Sequence, residues 1–476
     1  MNRHVASAWM CLLLFSGAIA AADESPAYDP TQDFALRIRQ LEEQTAAMQA
    51  ELSAMRQAMP ASSEAVSSET IPVNFDAMAD PPYEGAIVSR EDMLEEMRSL
   101  VWTKGDYKVV PYGVLWGSAA YDSQRSFPGP FALYVFSPQF QHVDEFALDT
   151  RRTRVGIDVT GPRIPRICDG KSRGKIEIDF HGLIAERENQ STIQIRHAYA
   201  EVYDDNFRLL AGQTWDLLSP LQPRTINYSV GWGVGNLGFR RMQIRYERYM
   251  HFSDVFLMSP AVAICQNIIL DGPTLNREPS DWPVVEGRCG FTLGPRGEGD
   301  LPISFGMSGH IGEQLFDFPP IGDKPLVLGG RVGTWSANAD VSIPVTKRCK
   351  FQGEFFTGAD LSTFMGGIIQ GVDFSTRKAV YSTGGWFDFG YDLRDDLHIN
   401  AGYLIDDPWN KTVSADAESF VNNGARVYNN AIFANTIFDV TKKLKLGLES
   451  SVWTTHYKVR EPGNMLRFEF SGAYEF

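Results

Sequence analysis

From about residue 112 to its last residue the chain alternates with period two, and one of its two faces carries full charges. Val155, Ile157 and Val159 alternate with Arg154, Gly156 and Asp158; Ile176, Ile178 and Phe180 alternate with Lys175, Glu177, Asp179 and His181. The same script recurs in Met242, Ile244 and Tyr246 against Arg241, Gln243, Arg245 and Glu247, and in Phe387, Phe389 and Tyr391 against Asp388 and Asp392. Successive side chains of a strand point to opposite sides, so the chain reads as a long array of two-faced strands. Alternation alone does not say which face is inside. A soluble barrel buries its apolar face, whereas a membrane barrel turns that face to lipid and keeps its lumen wet.

Several features favour the membrane. The chain ends on the alternating run Leu466 to Phe476, about the ten residues a strand needs to cross a bilayer at a tilt. Its final Phe resembles the signal with which bacterial outer-membrane barrels end. At the other end, Arg3 and His4 precede an apolar stretch from Ala8 to Ile19, and Ala18-Ile19-Ala20 fits a secretory cleavage site. Residues 1–20 are therefore expected to be a signal peptide. Its apolar core is short for a membrane anchor, and no Cys follows the cut to carry lipid. Beyond it no run approaches the roughly twenty apolar residues of a membrane helix. With 42 Gly, 12% aromatic residues and a mean hydropathy of -0.21, the composition is too polar for a helical membrane protein and suits a barrel with wet loops and lumen.

Residues 31–59 form a separate module. Phe34, Ile38, Leu41, Thr45, Met48, Leu52, Met55 and Met59 follow an alternating spacing of four and three. That is the heptad of a coiled coil, placed in the periplasm, with a single amphipathic helix as the alternative. Pro60 ends it, and residues 60–107 read as a linker rich in Ser, Glu and Pro with a short helix over 89–101. That helix belongs either in the periplasm or in the barrel mouth.

Residues 108–476 are assigned to the barrel. Counting each alternating run once gives sixteen strands, centred near about 116, 155, 179, 198, 212, 245, 259, 289, 307, 338, 354, 386, 401, 433, 448 and 470. The runs near 198, 259 and 433 alternate poorly, which leaves fourteen or eighteen open. Short turns such as Asp204-Asp205-Asn206, Arg394-Asp395-Asp396 and Thr441-Lys442-Lys443 alternate with long segments at 123–148, 218–238, 265–283 and 406–425. Gly161 to Ser172 reads as an unusually long turn. Sixteen strands enclose an aqueous channel that side chains alone do not fill.

Leu148 to Gly156, Gly174 to Gly182, Ile195 to Glu201, Leu210 to Trp215 and Gln243 to Tyr246 resemble, in order and spacing, the DcaP-like outer-membrane porins. The resemblance covers roughly residues 112 to 250. It implies an all-β transmembrane barrel preceded by a coiled coil, assembly as a homotrimer in the bacterial outer membrane, and passive uptake of small anions, typically dicarboxylates. The turn containing Cys168 and the external loops depart from the family, so substrate preference is the property least carried over.

The residues support an anion route on their own account. The chain is acidic, with a formal net charge of -15, yet Arg152, Arg154, Arg196, Arg241 and Arg245 gather on the charged face of neighbouring strands. A row of guanidinium groups favours carboxylates and stays charged at every working pH. The competing reading pairs each Arg with Glu177, Asp179 or Glu247 across strands and leaves little field. Arg224, in the segment before Asn227 and Tyr228, lies either at a constriction or on the outer surface. His181, His197 and His398 lack a metal spacing and read as lumen or interface residues. No nucleophile elbow or His-Ser constellation points to an enzyme, no motif calls for a cofactor, and nothing basic enough suggests nucleic acid. The coiled coil leaves one alternative, a barrel tethered to peptidoglycan with transport secondary. Of Cys168, Cys265, Cys289 and Cys349, the sequence favours a disulfide between Cys265 and Cys289 across one external loop.

Overall fold

The computed structural model describes residues 101–139, 142–182, 191–268, 281–297, 299–414 and 424–476. The expected signal peptide, coiled coil at 31–59 and helix at 89–101 lie outside the described residues, save Val101.

Sixteen antiparallel strands close into one barrel. They are β1 (Tyr107–Asp122), β2 (Glu145–Asp149 and Arg154–Ile164), β3 (Gly170–Asp179), β4 (Gln194–Tyr203), β5 (Phe207–Trp215), β6 (Arg240–Arg248), β7 (Phe256–Cys265) and β8 (Val284–Leu293), then β9 (Ile303–Phe318), β10 (Val327–Thr346), β11 (Cys349–Ala359), β12 (Tyr381–Arg394), β13 (Leu397–Pro408), β14 (Arg426–Asp439), β15 (Leu444–Tyr457) and β16 (Gly463–Glu475). Each pairs with its neighbour, and β16 returns to β1 over Val114↔Glu475 to Asp122↔Arg467, so the sheet has no edge. Every expected centre falls inside one of these strands.

The weak alternation near 198 has a local cause. The β3–β4 register shifts where Glu177 faces His197 and Ile178 faces Ile195, so Arg196 is the extra residue of a bulge and both Arg196 and His197 are buried. β2 is also interrupted. A turn closed by Thr153 N–H on the Thr150 carbonyl (3.0 Å) breaks the ladder, and Arg151 folds back onto Asp149 at 2.6 Å. The turn expected from Gly161 to Ser172 is shorter than the sequence suggested, because β2 and β3 pair until Ile164↔Gly170.

The two faces sort as a membrane barrel requires. Outward side chains are apolar and exposed, as in Met307 (70%), Phe146 (66%), Ile311, Phe355, Phe389, Leu448, Phe468 and Phe470. Their inward neighbours are buried and polar, among them Glu177, Arg241, Glu286, Asp388, Glu449 and Arg467. Outward aromatic rings gather near one end, where Phe256, Phe291 and Phe305 stack in a row, as interfacial girdles do. At that same end the connections are short, for example 204–206, 395–396 and 440–443; at the other they are long.

Three long connections fold inward: residues 123–144, 216–239 and 360–380. Phe131, Leu133, Tyr134 and Phe136 of the first pack with Trp232 of the second and with Met365 and Ile368 of the third. Ala132, Val135 and Val234 meet Trp386, Leu404, Phe433, Trp453 and Met465 on the inner faces of β12 to β16. The space that sixteen strands leave is thus taken up in its long-loop half by loops, not left to water alone.

Cys168, Cys265, Cys289 and Cys349 are free, which overturns the expected Cys265–Cys289 disulfide. Cys265 is buried on the inner face of β7, while Cys289 lies on β8 opposite Pro260 and outward Met307, five residues along the ladder and on the other face. Side chains so placed do not meet the geometry of a disulfide.

Candidate functional site

Loop 216–239 sets the lumen's shape, and its path is dictated by carboxylates. Following the chain, Leu217 N–H donates to Glu286 of β8 (2.8 Å), Leu221 N–H to Glu354 of β11 (2.8 Å), Arg224 N–H to Asp388 of β12 (2.8 Å) and Ile226 N–H to Glu449 of β15 (2.8 Å). Wall side chains donate back: Ser308 to the Leu218 carbonyl, Gln352 to that of Gln222, Asn435 to that of Arg224, and Arg152 of β2 to that of Ile226. The segment therefore runs round the inner wall from β6 to β2. Buried backbone groups must find partners, and ionised acceptors form the stronger hydrogen bonds. The return path needs glycine. Gly235 sits at φ +140, and a Cβ there would collide with the Gly385 carbonyl and the Ile405 backbone.

The acids Glu286, Glu354, Asp388 and Glu449 of β8, β11, β12 and β15 are committed to the loop. Arginines gather on β2 to β6 together with Glu177 and Asp179, and Arg426 and Arg467 stand on β14 and β16.

The six arginines expected to line the path fare differently. Arg196 holds Glu177 and Asp179, each at 2.7 Å. Arg241 pairs with Asp216 at 2.7 Å, stacks on Phe364 at 3.8 Å and donates to the Thr363 carbonyl. Arg245 donates to Gln243 and the Trp215 carbonyl and lies 3.5 Å from Glu247. Arg224 is folded inward and pairs with Asp388 at 2.7 Å. Arg152 lies over Trp116 at 3.9 Å, and its Nε has no partner among the described residues. Arg154 makes no hydrogen bond or ion pair among the described residues and is partly exposed, with Arg152, Arg196, Glu177 and Tyr228 as its charged and polar neighbours.

The fold adds two residues that the alternating pattern did not single out. Arg240 is buried against Trp215 (4.7 Å) and Phe239 (4.9 Å) and donates to Gln194, and its Nε and Nη1 have no hydrogen-bond partner among the described residues. Tyr228 reaches from the inward loop to donate to Asp179 at 3.1 Å, and its ring stacks on His181 at 3.8 Å. Its position at the end of an aromatic-rich, glycine-rich segment was the available signal. Arg154 and Arg196 thus face Glu177, and Arg196 and Arg240 face Asp179, three guanidinium groups against two carboxylates, while Arg152 stands beside Arg154 and acts on Glu469 of β16.

The histidines are not a metal set. His181 is buried beside Phe131 and Tyr228, and burial pushes its pKa down to about 4. His197 meets Thr214 at 3.0 Å, and His398 meets Asp392 at 2.6 Å. Among the described residues no cluster of three metal-ligating side chains occurs.

No protein-family model and no curated protein matches the chain. Among solved structures, the barrel has the fold of the outer membrane channel DcaP of Acinetobacter baumannii, with a TM-score of 0.58 and 18% identity over 79% of this chain and 99% of that one. Looser likenesses are OprB of Pseudomonas putida (TM-score 0.49, 11% identity, 81% of this chain and 96% of that one) and Salmonella typhi OmpF (TM-score 0.49, 10% identity, 79% of this chain and 100% of that one).

Proposed function

We propose that this outer-membrane barrel lets small solutes diffuse passively down their gradients and prefers anions, carboxylates above all. The observation that carries the reading is Arg154. It faces the lumen, is partly exposed and has no ion-pair partner among the described residues, with Arg152 beside it, also outside ion-pair distance of any carboxylate among the described residues. Guanidinium groups that are not neutralised attract carboxylates through forked hydrogen bonds. The remaining arginines act mainly through their ion pairs, so selectivity rests on a local excess of charge on β2 to β6. The acids Glu286, Glu354, Asp388 and Glu449 stand on other strands and hydrogen-bond the intervening loop, not these arginines. Likeness to the DcaP barrel supports the channel itself. The short turns and the coiled coil at 31–59 belong in the periplasm, with three copies joined through that coil.

Liposome swelling tests the reading. A dicarboxylate of about four carbons should enter faster than a neutral sugar or a diamine of similar size, and Arg154→Ala should reduce that advantage. Equal rates for all three solutes would remove the anion preference. The packed loops favour one second reading, a plugged barrel tethered to the cell wall, and swelling by none of the solutes would support it.

A further inference from the structure

Loop 360–380 enters the lumen by a different device. It leaves β11 at Asp360 and returns to β12 at Val380, and Asp360 N–H donates to the Val380 carbonyl (2.9 Å) to close its base. Two short 3-10 turns, Ser362–Phe364 and Gly367–Ile369, carry Phe364, Met365 and Ile368 into the packed clusters inside the barrel. The Asp360 carboxylate has no surface exposure, and neither oxygen has a hydrogen-bond partner among the described residues. It is wedged against Gly371, whose missing Cβ leaves the room that the carboxylate and the Ser362 hydroxyl occupy. Asp360 itself stands at φ +53, a conformation that costs a non-glycine residue energy.

Charged and titratable groups surround the loop without touching this carboxylate. On β9, His310 reaches it only through Thr334, which donates to the Asp360 carbonyl (2.8 Å). On β6, Arg241 holds the loop at Thr363; on β13, Asp406 accepts from Ile368 N–H (3.0 Å); on β14, Arg426 donates to the Ile368 carbonyl (3.1 Å). On the loop, Asp373 is occupied by Thr376 and Ser414, and Arg377 donates to the Pro319 and Pro325 carbonyls. Lys378 is exposed.

We propose that loop 360–380 is a proton-latched gate: protonated Asp360 lets the loop lie folded in the lumen, and ionisation of Asp360 releases it and widens the water path. An unpaired carboxylate in a dry site takes up a proton before it stays charged, and burial alone pushes Asp360 well above the usual carboxylate range. The folded loop keeps that proton at pH values where the released loop has lost it. Rising pH therefore favours release, by up to about tenfold in the equilibrium per pH unit between the exposed and buried values. The latch is independent of the channel reading; only the widening rests on it.

Hydrogen exchange of the full-length protein in lipid nanodiscs, corrected for the chemical rate at each pH, reads the loop directly. Amides 362–370 should exchange faster as pH rises from 5 to 9, Asp360→Asn should abolish the rise, and His310→Gln should retain it. A flat wild-type profile, a rise that persists in Asp360→Asn, or a rise lost only in His310→Gln would overturn the proposal. Gly371→Ala guards against a variant that does not fold: by crowding Asp360 it should speed exchange already at pH 5, and unchanged protection would count against the packing argument. Bilayer conductance of the same protein separates the two readings. Exchange that responds to pH in a barrel that never conducts sinks the channel alone, and a conducting barrel with flat exchange sinks the latch alone.

Discussion

Two loops share the lumen and are held there by opposite means. Loop 216–239 lays its backbone N–H groups on Glu286, Glu354, Asp388 and Glu449, so every one of these acids has a partner. Loop 360–380 closes around Asp360, whose carboxylate has none among the described residues. A carboxylate that accepts backbone N–H bonds fixes a strap in one place, and a buried carboxylate without partners makes a fold conditional on a proton. On the channel proposed above, the first loop would define the path a solute takes and the second would set how wide that path is.

Removing the cation that joins the loops should disturb them most. Arg241 pairs with Asp216 of the first and holds Thr363 of the second, with Glu286 at 3.8 Å. Arg241→Ala strands those acids inside the barrel, and loss of one partner of a buried pair costs about 3–5 kcal/mol. The melting temperature should fall and both loops should gain exchange together. A melting curve identical to wild type would contradict this joint anchoring.

Cutting the strap alone should cost less. Glu354→Ala and Glu449→Ala leave the N–H groups of Leu221 and Ile226 without acceptors, at about 1–3 kcal/mol each. Single-channel records should become noisier as residues 217–226 loosen, while exchange of residues 362–370 stays put. Loosening of the second loop instead would show that the two are one unit.

A smaller effect separates the loops by pH. The raised Asp360 stabilises the fold fully below the exposed carboxylate value and less as pH rises toward its buried value. Wild type should therefore lose stability relative to Asp360→Asn on going from pH 5 to pH 6, by no more than about 1.4 kcal/mol. Parallel stability profiles for the two proteins would deny the latch its energy.

Smallest of all, reductant should change neither melting temperature nor electrophoretic mobility, because the four cysteines of the barrel are free. A mobility shift would reveal a disulfide.

The barrel is readable from the sequence because lipid and water act on each strand residue separately. That is why the strand centres can be placed from alternation, including the run near 198 that a bulge at Arg196 and His197 obscures. The inward loops obey no such rule. Leu217 meets Glu286 and Ile226 meets Glu449 across 69 and 223 residues of chain, and no local pattern encodes those meetings. The arginines fall between. Their gathering on β2 to β6 shows in the alternation, but which are neutralised depends on register and loop path: Arg196 meets two acids on β3, Arg241 meets one at the start of a loop, and Arg154 meets none among the described residues. Asp360 is one of 59 acidic residues, and only its surroundings mark it.

Reversal potential in a planar bilayer under a potassium chloride gradient tests the central claim most directly, with wild type set beside a variant carrying Arg152→Ala, Arg154→Ala and Arg240→Ala. The account predicts a potential of anion-selective sign in wild type that collapses toward zero or reverses in the variant, since the acids of the other strands remain. An unchanged potential in the variant, or a cation-selective wild type, would contradict it.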